Sequence, residues 1–437
     1  MAARPVLAPS DCLLPMLRLL ALLLILVTSP ALAQQEGSGG ASTRVFRRFA
    51  DQVLKVEVVE TSSAAKATIG SGFYVSDRGH VVTNYHVISQ LVHAPERYRA
   101  EVVDARGETR AVAVLAIDVV HDLAVLRADV RPAKHFALEP VAVSQGDRLF
   151  ALGHPHDLGL SIVEGTYNGL LEHTLYPKIH FTGSLNPGMS GGPTLAESGH
   201  VVGVNVSTAG NQVSFLVPVE RAATLVATTL EPGFAPPKRF LAEVGRQVRA
   251  YQDVYLADMF GGSTPTVALG GYTLPTKPAP FFKCWADATR RDELPYQVVE
   301  HQCSTDDVLY ISGGQSSGVV EVEHRVLSSR ELGALRFYSL LSGTFASGDE
   351  GMYADDEEVT PFRCETRNVT HHALAFRAAL CLRRYRKLDG LYDAVLRAAA
   401  LGGRGKGLVT TLTLSGVSFE NAQRVAGRYL ERITWRE

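Results

Sequence analysis

The chain has 437 residues, 46% of them hydrophobic and 20% charged, with a formal net charge of −2. That length exceeds one typical domain and suggests two, each able to bury a core. The near-neutral balance argues against nucleic acid or an anionic membrane as partner.

Residues 19–28 form an apolar run after Arg18, and Ala31, Leu32 and Ala33 offer small side chains for cleavage before Gln34. This reads as a signal peptide over 1–33, short for a membrane span of ~20 residues. An uncleaved anchor is the competing reading. Pro5, Pro9, Asp11 and Pro15 are unusual in a leader, so Met16 competes with Met1 as the start. No cysteine follows the run, which speaks against a lipid anchor, and no stable membrane anchor is expected. Residues 34–42 read as a flexible tether.

An amphipathic helix is expected over 43–54. Alternating strands follow at 55–60, 68–75 and 80–83, the last two joined by a turn at Asp77-Arg78-Gly79, with His86 just past them. Strands at 99–103, 109–116 and 123–126 continue the series, and Asp122 heads the last. A second series covers 147–153, 162–173, 178–182, 192–195, 200–206 and 212–218, ending in a helix over 219–229.

Residues 186–195 read Asn-Pro-Gly-Met-Ser-Gly-Gly-Pro-Thr-Leu. Ser190 sits in a glycine-rich turn, where a nucleophile needs to be. Gly188 lets the backbone fold tightly, so a Gly188–Met189–Ser190 segment could aim N–H groups at a developing oxyanion. Gly191 and Gly192 leave the hydroxyl open. Serine chemistry needs an imidazole to take the proton and a carboxylate to hold the imidazole. His86 and Asp122 are the candidates. Each alone has a plainer reading: a structural turn, a core histidine, a strand-end carboxylate. Their order and neighbours together argue against coincidence.

These segments resemble the trypsin-like fold in its HtrA/Deg form over about 43–230. The resemblance rests on Gly70-Ser-Gly-Phe73, Thr83-Asn-Tyr-His-Val87, Asp122-Leu-Ala-Val-Leu126, the Ser190 turn, Gly203-Val-Asn205 and Phe215-Leu-Val-Pro218. It implies an all-β double barrel with the triad at the seam, protein or peptide substrates, no cofactor and no metal. It also implies an exported protein, periplasmic or secreted, acting on damaged or misfolded proteins. Met189 departs from the polar residue usual in that family and puts substrate fit in doubt. By the same resemblance Ser184 lies at the base of the primary pocket. It is not an acid, so lysine and arginine are disfavoured. The wall Asn205-Val206-Ser207 carries no large aromatic, which points to small or medium apolar side chains. His154-Pro155-His156 reads as a surface loop.

A Pro-rich linker over 231–238 introduces the second half, 233–437. Helices are expected at 239–260 and 419–433, and strands at 308–312, 319–324 and 408–414. An Ala- and Leu-rich stretch over 373–400 reads as a long helix interrupted near Asp389-Gly390. Together these make an α+β domain that resembles no recognised family and lacks the PDZ pattern usual after an HtrA/Deg peptidase. Cys284, Cys303, Cys364 and Cys381 all fall here, and an even count in an exported chain suggests two disulfides. Three pairings exist. Neighbour pairing is preferred because both loops are short. A metal site would lack Cys-x-x-Cys spacing. His371-His372 and the 321–324 run read as surface. The expected function is an exported serine endopeptidase whose second half binds or regulates; the alternative is a protease-fold binding or scaffold protein with little turnover.

Overall fold

The computed structural model describes residues 40–436 except 172, 211, 290–293, 348–351 and 353. The expected leader, with Cys12, and tether residues 34–39 lie outside the described residues. Ala41 and Ser42, counted in the expected tether, belong instead to a helix, α1 (Ala41–Phe49). Val45 and Phe49 anchor that helix in the core.

Six strands follow: β1 (Val53–Glu60), β2 (Lys66–Tyr74), β3 (His80–Thr83), β4 (Tyr98–Val103), β5 (Thr109–Asp118) and β6 (Leu123–Ala128), with α2 (Tyr85–His93) after β3. They close into an antiparallel barrel in the order β1-β2-β3-β6-β5-β4. Six more, β7 (Arg148–Gly153), β8 (Ser161–Leu170), β9 (Ile179–Phe181), β10 (Pro193–Ala196), β11 (Val201–Thr208) and β12 (Ser214–Pro218), close a second barrel. Closure leaves no free sheet edge in either barrel. Helix α3 (Val219–Leu230) follows, and α4 (Phe240–Gly261) begins the second half.

The second half is α+β. After β13 (Thr266–Leu269) and β14 (Tyr272–Pro275) come β15 (Phe282–Thr289), β16 (Gln297–Thr305), β17 (Leu309–Ser312), β18 (Gln315–Ser317), β19 (Val320–Ser328) and α5 (Ala334–Ala346). Then follow β20 (Arg363–His371), β21 (Leu374–Arg384), β22 (Tyr392–Gly403), β23 (Lys406–Val417), α6 (Phe419–Glu431) and β24 (Thr434–Trp435). Seven strands form one antiparallel sheet, β15-β16-β19-β23-β22-β21-β20. Strand periodicity sends Leu408 and Leu412 of β23 toward α6 and Val409 toward α5, so the two helices cover opposite faces.

The helix expected over 373–400 is instead the hairpin of β21 and β22. Alanine and leucine favour helix by well under ~1 kcal/mol per residue. Burial decides: Leu374, Phe376 and Ala378 are buried, while Ala375 and Arg377 between them are exposed. Cross-strand pairs such as Phe376 with Ala400 and Leu380 with Leu396 match large against small or large. His324, expected on the surface, is fully buried. Its Nε2 lies 2.7 Å from Pro275 O, and its ring stacks on Tyr429. His371 is half-buried and His372 exposed.

The boundary expected near 232 is crossed by a shared core. Ala41–Glu437 forms one compact unit. Val244 and Val248 of α4, with Ile311, Tyr385, Leu388 and Leu391, pack among Leu54, Val56, Tyr85 and Leu126 of the first barrel. Lys178 and Asp307 add a 2.6 Å ion pair between the second barrel and the second half.

Cys284 is bonded to Cys303, and Cys364 to Cys381. Each disulfide ties an edge strand of the seven-stranded sheet, β15 or β20, to its neighbour. Closing such loops stabilises a fold by ~3 kcal/mol. Replacing both Cys364 and Cys381 by alanine should lower stability by about that amount and speed amide exchange first in β20. Denaturant titration with hydrogen exchange would measure both.

Candidate active site

Helix α2 begins at Tyr85, with Asn84 as its N-cap directly after β3, so His86 falls in its first turn. No side-chain cap comes from Asn84 itself. Asp122 does that work from the start of β6. Its Oδ1 accepts the His86 N–H at 2.8 Å, and its carbonyl accepts the Tyr85 N–H at 3.2 Å. A carboxylate at a helix N-terminus is also favoured by the helix dipole. The Asn84 side chain donates to the same carbonyl at 2.7 Å. Asp122 holds φ +54, a conformation aspartate tolerates better than most residues.

The second oxygen of Asp122 lies 2.6 Å from His86 Nδ1. That contact fixes the imidazole with Nε2 turned away from the carboxylate. Burial pushes the His86 imidazolium down, but the charge and hydrogen bond of Asp122 outweigh it, so His86 titrates above its ordinary value of 6.5.

Ser190 arrives from the second barrel on a turn held by the first. Ser71 of β2 donates its N–H to Ser190 O at 2.7 Å and its hydroxyl to Gly188 O at 2.7 Å. The same hydroxyl accepts the His154 N–H at 2.9 Å. Gly188 takes φ +96, and a Cβ there would lie 2.3 Å from His154 O. Gly191 takes φ +85, with a Cβ 2.2 Å from Ser71 O. Only glycine satisfies either position.

The Gly188 and Ser190 N–H groups meet no acceptor among the described residues. Both N–H groups are uncommitted. Met189 does not add a third. Its N–H is taken by Asn186 O at 3.0 Å, and its fully buried side chain packs with Leu149, Phe181 and Leu216. The departure at Met189 therefore lies in the barrel core and does not line the cleft. The Ser190 hydroxyl donates to Val206 O at 3.2 Å, and no hydrogen bond joins it to His86. Catalytic hydrogen bonds are often long or unmade before substrate arrives.

Of the expected pocket, Ser184 and Ser207 are exposed and Val206 is buried with its carbonyl against Ser190. Asn205 is corrected: its side chain is fully buried and donates to Leu152 O at 3.0 Å and Met189 O at 3.2 Å. It braces the nucleophile turn and does not line a pocket. His156 is exposed, but His154 is half-buried, and burial with the nearby Lys55 charge pushes its imidazole down to about 4. Hydrogen bonds from Lys55 and Lys66 hold the Asp157 carboxyl at about 2, which anchors this loop beside the turn. Ser71, Asn84 and Tyr310 are further site residues. Ser71 and Asn84 lie inside segments already quoted for other residues. Tyr310 comes from the second half and has no local signal.

Raising His86 above 6.5 makes a testable statement. An NMR titration of the His86 ring should give a midpoint above 6.5, and in Asp122→Asn it should fall below 6.5, since burial then acts alone. In the wild type this interaction stabilises the fold below pH ~6.5, and that contribution is lost as pH rises through the elevated midpoint.

Residues 70–204 match the family described as trypsin-like peptidase domain. Protease Do-like 5, chloroplastic, of Arabidopsis thaliana is 27% identical over 236 residues, covering 46% of this chain and 72% of that protein. A probable periplasmic serine endoprotease DegP-like of Halomonas elongata is 28% identical over 294 residues, covering 65% of this chain and 59% of that one. The crystal structure of Deg5 is 28% identical, with a TM-score of 0.38, and covers 45% of this chain and 96% of its own. The double barrel is a trypsin-like serine peptidase domain of the HtrA/Deg type.

Proposed function

We propose that the chain is an exported endopeptidase that cuts protein substrates through an acyl-enzyme, in envelope protein quality control or regulated proteolysis. The carrying observation is the 2.6 Å His86–Asp122 contact, together with a serine turn that keeps two N–H groups uncommitted. Ser190 Oγ attacks the scissile carbonyl carbon as His86 Nε2 takes its proton. Asp122 stabilises the imidazolium, and the Gly188 and Ser190 N–H groups receive the oxyanion. His86 then protonates the leaving amine, and a water repeats the sequence on the ester to release the acid. The reaction requires the Ser190 hydroxyl to leave Val206 O for His86. With serine at 184, small or medium apolar residues are the preferred side chains at the cut.

The binding or scaffold alternative draws on the Ser190–Val206 hydrogen bond, which holds the hydroxyl away from the base. A fluorophosphonate separates the two. The wild type should label at Ser190 and Ser190→Ala should not. Cleavage of an unfolded protein should fall by ~10⁴-fold or more in Ser190→Ala. Labelling and cleavage that survive in Ser190→Ala, or are missing from the wild type, would defeat the enzymatic reading.

Export rests on the apolar run at 19–28, the small residues at 31–33 and the cysteines of the second half. The periplasmic description of the Halomonas relative supports it. Intact-mass analysis should find a mature chain starting near Gln34 and lacking four thiol hydrogens. An uncleaved, fully reduced chain in the cytoplasm would count against export.

A further inference from the structure

The hairpin of β17 and β18 sits on the helix that carries His86. Tyr85 OH donates to Ile311 O at 2.8 Å. Ser89 Oγ, one turn beyond His86, shares a 3.2 Å hydrogen bond with Tyr310 OH. The Tyr310 ring meets the His86 ring edge-to-face, with centroids 5.9 Å apart, and the Tyr85 ring at 6.3 Å. The Ser89 hydrogen bond and the Tyr85 ring therefore hold one phenol beside the imidazole. Burial pushes the Tyr310 hydroxyl up, so the group is neutral at working pH and offers a wall rather than an acid or base.

Tyr310 also lines a cavity of about 320 Å³. Its companions there include Val308, Val319, Met352 and the Gly313–Gly314 turn. Every lining residue comes from the second half. The one carboxylate at the cavity, Asp393, is 2% exposed and already bound to Arg383, Tyr385 OH and the Gly416 N–H. The His86 side chain remains 27% exposed beside this wall. Tyr310 links the two: its ring meets His86 and the same residue lines the cavity, so a substrate side chain passing the imidazole would meet the phenol.

We propose that Tyr310 and this cavity form a substrate subsite beside His86, selecting an uncharged, largely apolar side chain next to the scissile bond. The proposal rests on the reading of Ser190, His86 and Asp122 as the catalytic centre. It makes the second half part of the specificity machinery. Tyr310 is a specificity-determining residue, acting on substrate and not on proton transfer.

The test uses the full-length chain and a peptide library randomised at two positions on each side of the cut. Tyr310→Ala should reduce the preference for apolar side chains about tenfold in kcat/KM at one position and leave the ranking at the others in place. Val308→Glu is the second variant. Val308 is 42% exposed, so a polar side chain there is compatible with folding. At that same position it should favour lysine and arginine. An unaltered ranking at every position in both variants, even with a slower overall rate, would overturn the proposal and leave Tyr310 a structural residue. Fluorophosphonate labelling of the wild type is scored in parallel. Wild type that neither labels at Ser190 nor cleaves the library overturns the catalytic reading and the subsite with it. Labelling together with an unaltered ranking overturns the subsite alone.

Discussion

One residue of the first barrel holds the nucleophile turn of the second. Ser71 gives its N–H to Ser190 O, its hydroxyl to Gly188 O, and takes the His154 N–H on the same oxygen. Its own carbonyl is held by Thr83 Oγ1 at 2.7 Å, just before the helix that bears His86. Each such bond contributes only ~0.5–1.5 kcal/mol. Their value is geometric, since they set the serine turn against the histidine helix across a seam that no strand crosses. Gly191 follows from the same constraint, because the clamp brings Ser71 O to where a Cβ would stand.

Asp122 performs the matching task on the other side. One carboxylate caps α2 through the His86 N–H and orients the imidazole through Nδ1. The helix that presents His86 and the carboxylate that orients its imidazole are thereby built together. Strain at φ +54, of order 1–3 kcal/mol, is held by the Asn84 side chain and the Tyr85 N–H on the Asp122 carbonyl.

The two barrels and the residues around Ser190, His86 and Asp122 were readable in the sequence because their chemistry is local. Each lies in a short segment whose neighbours must be small or must turn. The braces Ser71 and Asn84 were in view but carried no separate signal. Asn205 was assigned to a pocket wall because its position in the segment does not reveal which way an amide turns. The hairpin of β21 and β22 was misread because alanine-rich composition favours helix and masked a run of adjacent strands, β20 to β23, each paired with the next. Tyr310 was invisible for a different reason. It lies 224 positions from His86 (310 − 86), and only the packing of β17 on α2 brings the rings together.

The core shared by the first barrel and the second half bears on genetics. Tyr385, Leu388 and Leu391 are fully or almost fully buried against barrel residues, far in sequence from any reacting group. A screen for loss of the proposed proteolysis would recover substitutions at these positions alongside those at Ser190, His86 and Asp122. Deleting the second half would uncover Tyr85, whose hydroxyl donates to Ile311 O and whose ring meets Tyr310, and would remove one side of the shared core. Insertions and deletions in descendants of this gene should therefore accumulate at its surface loops and spare the junction between the halves.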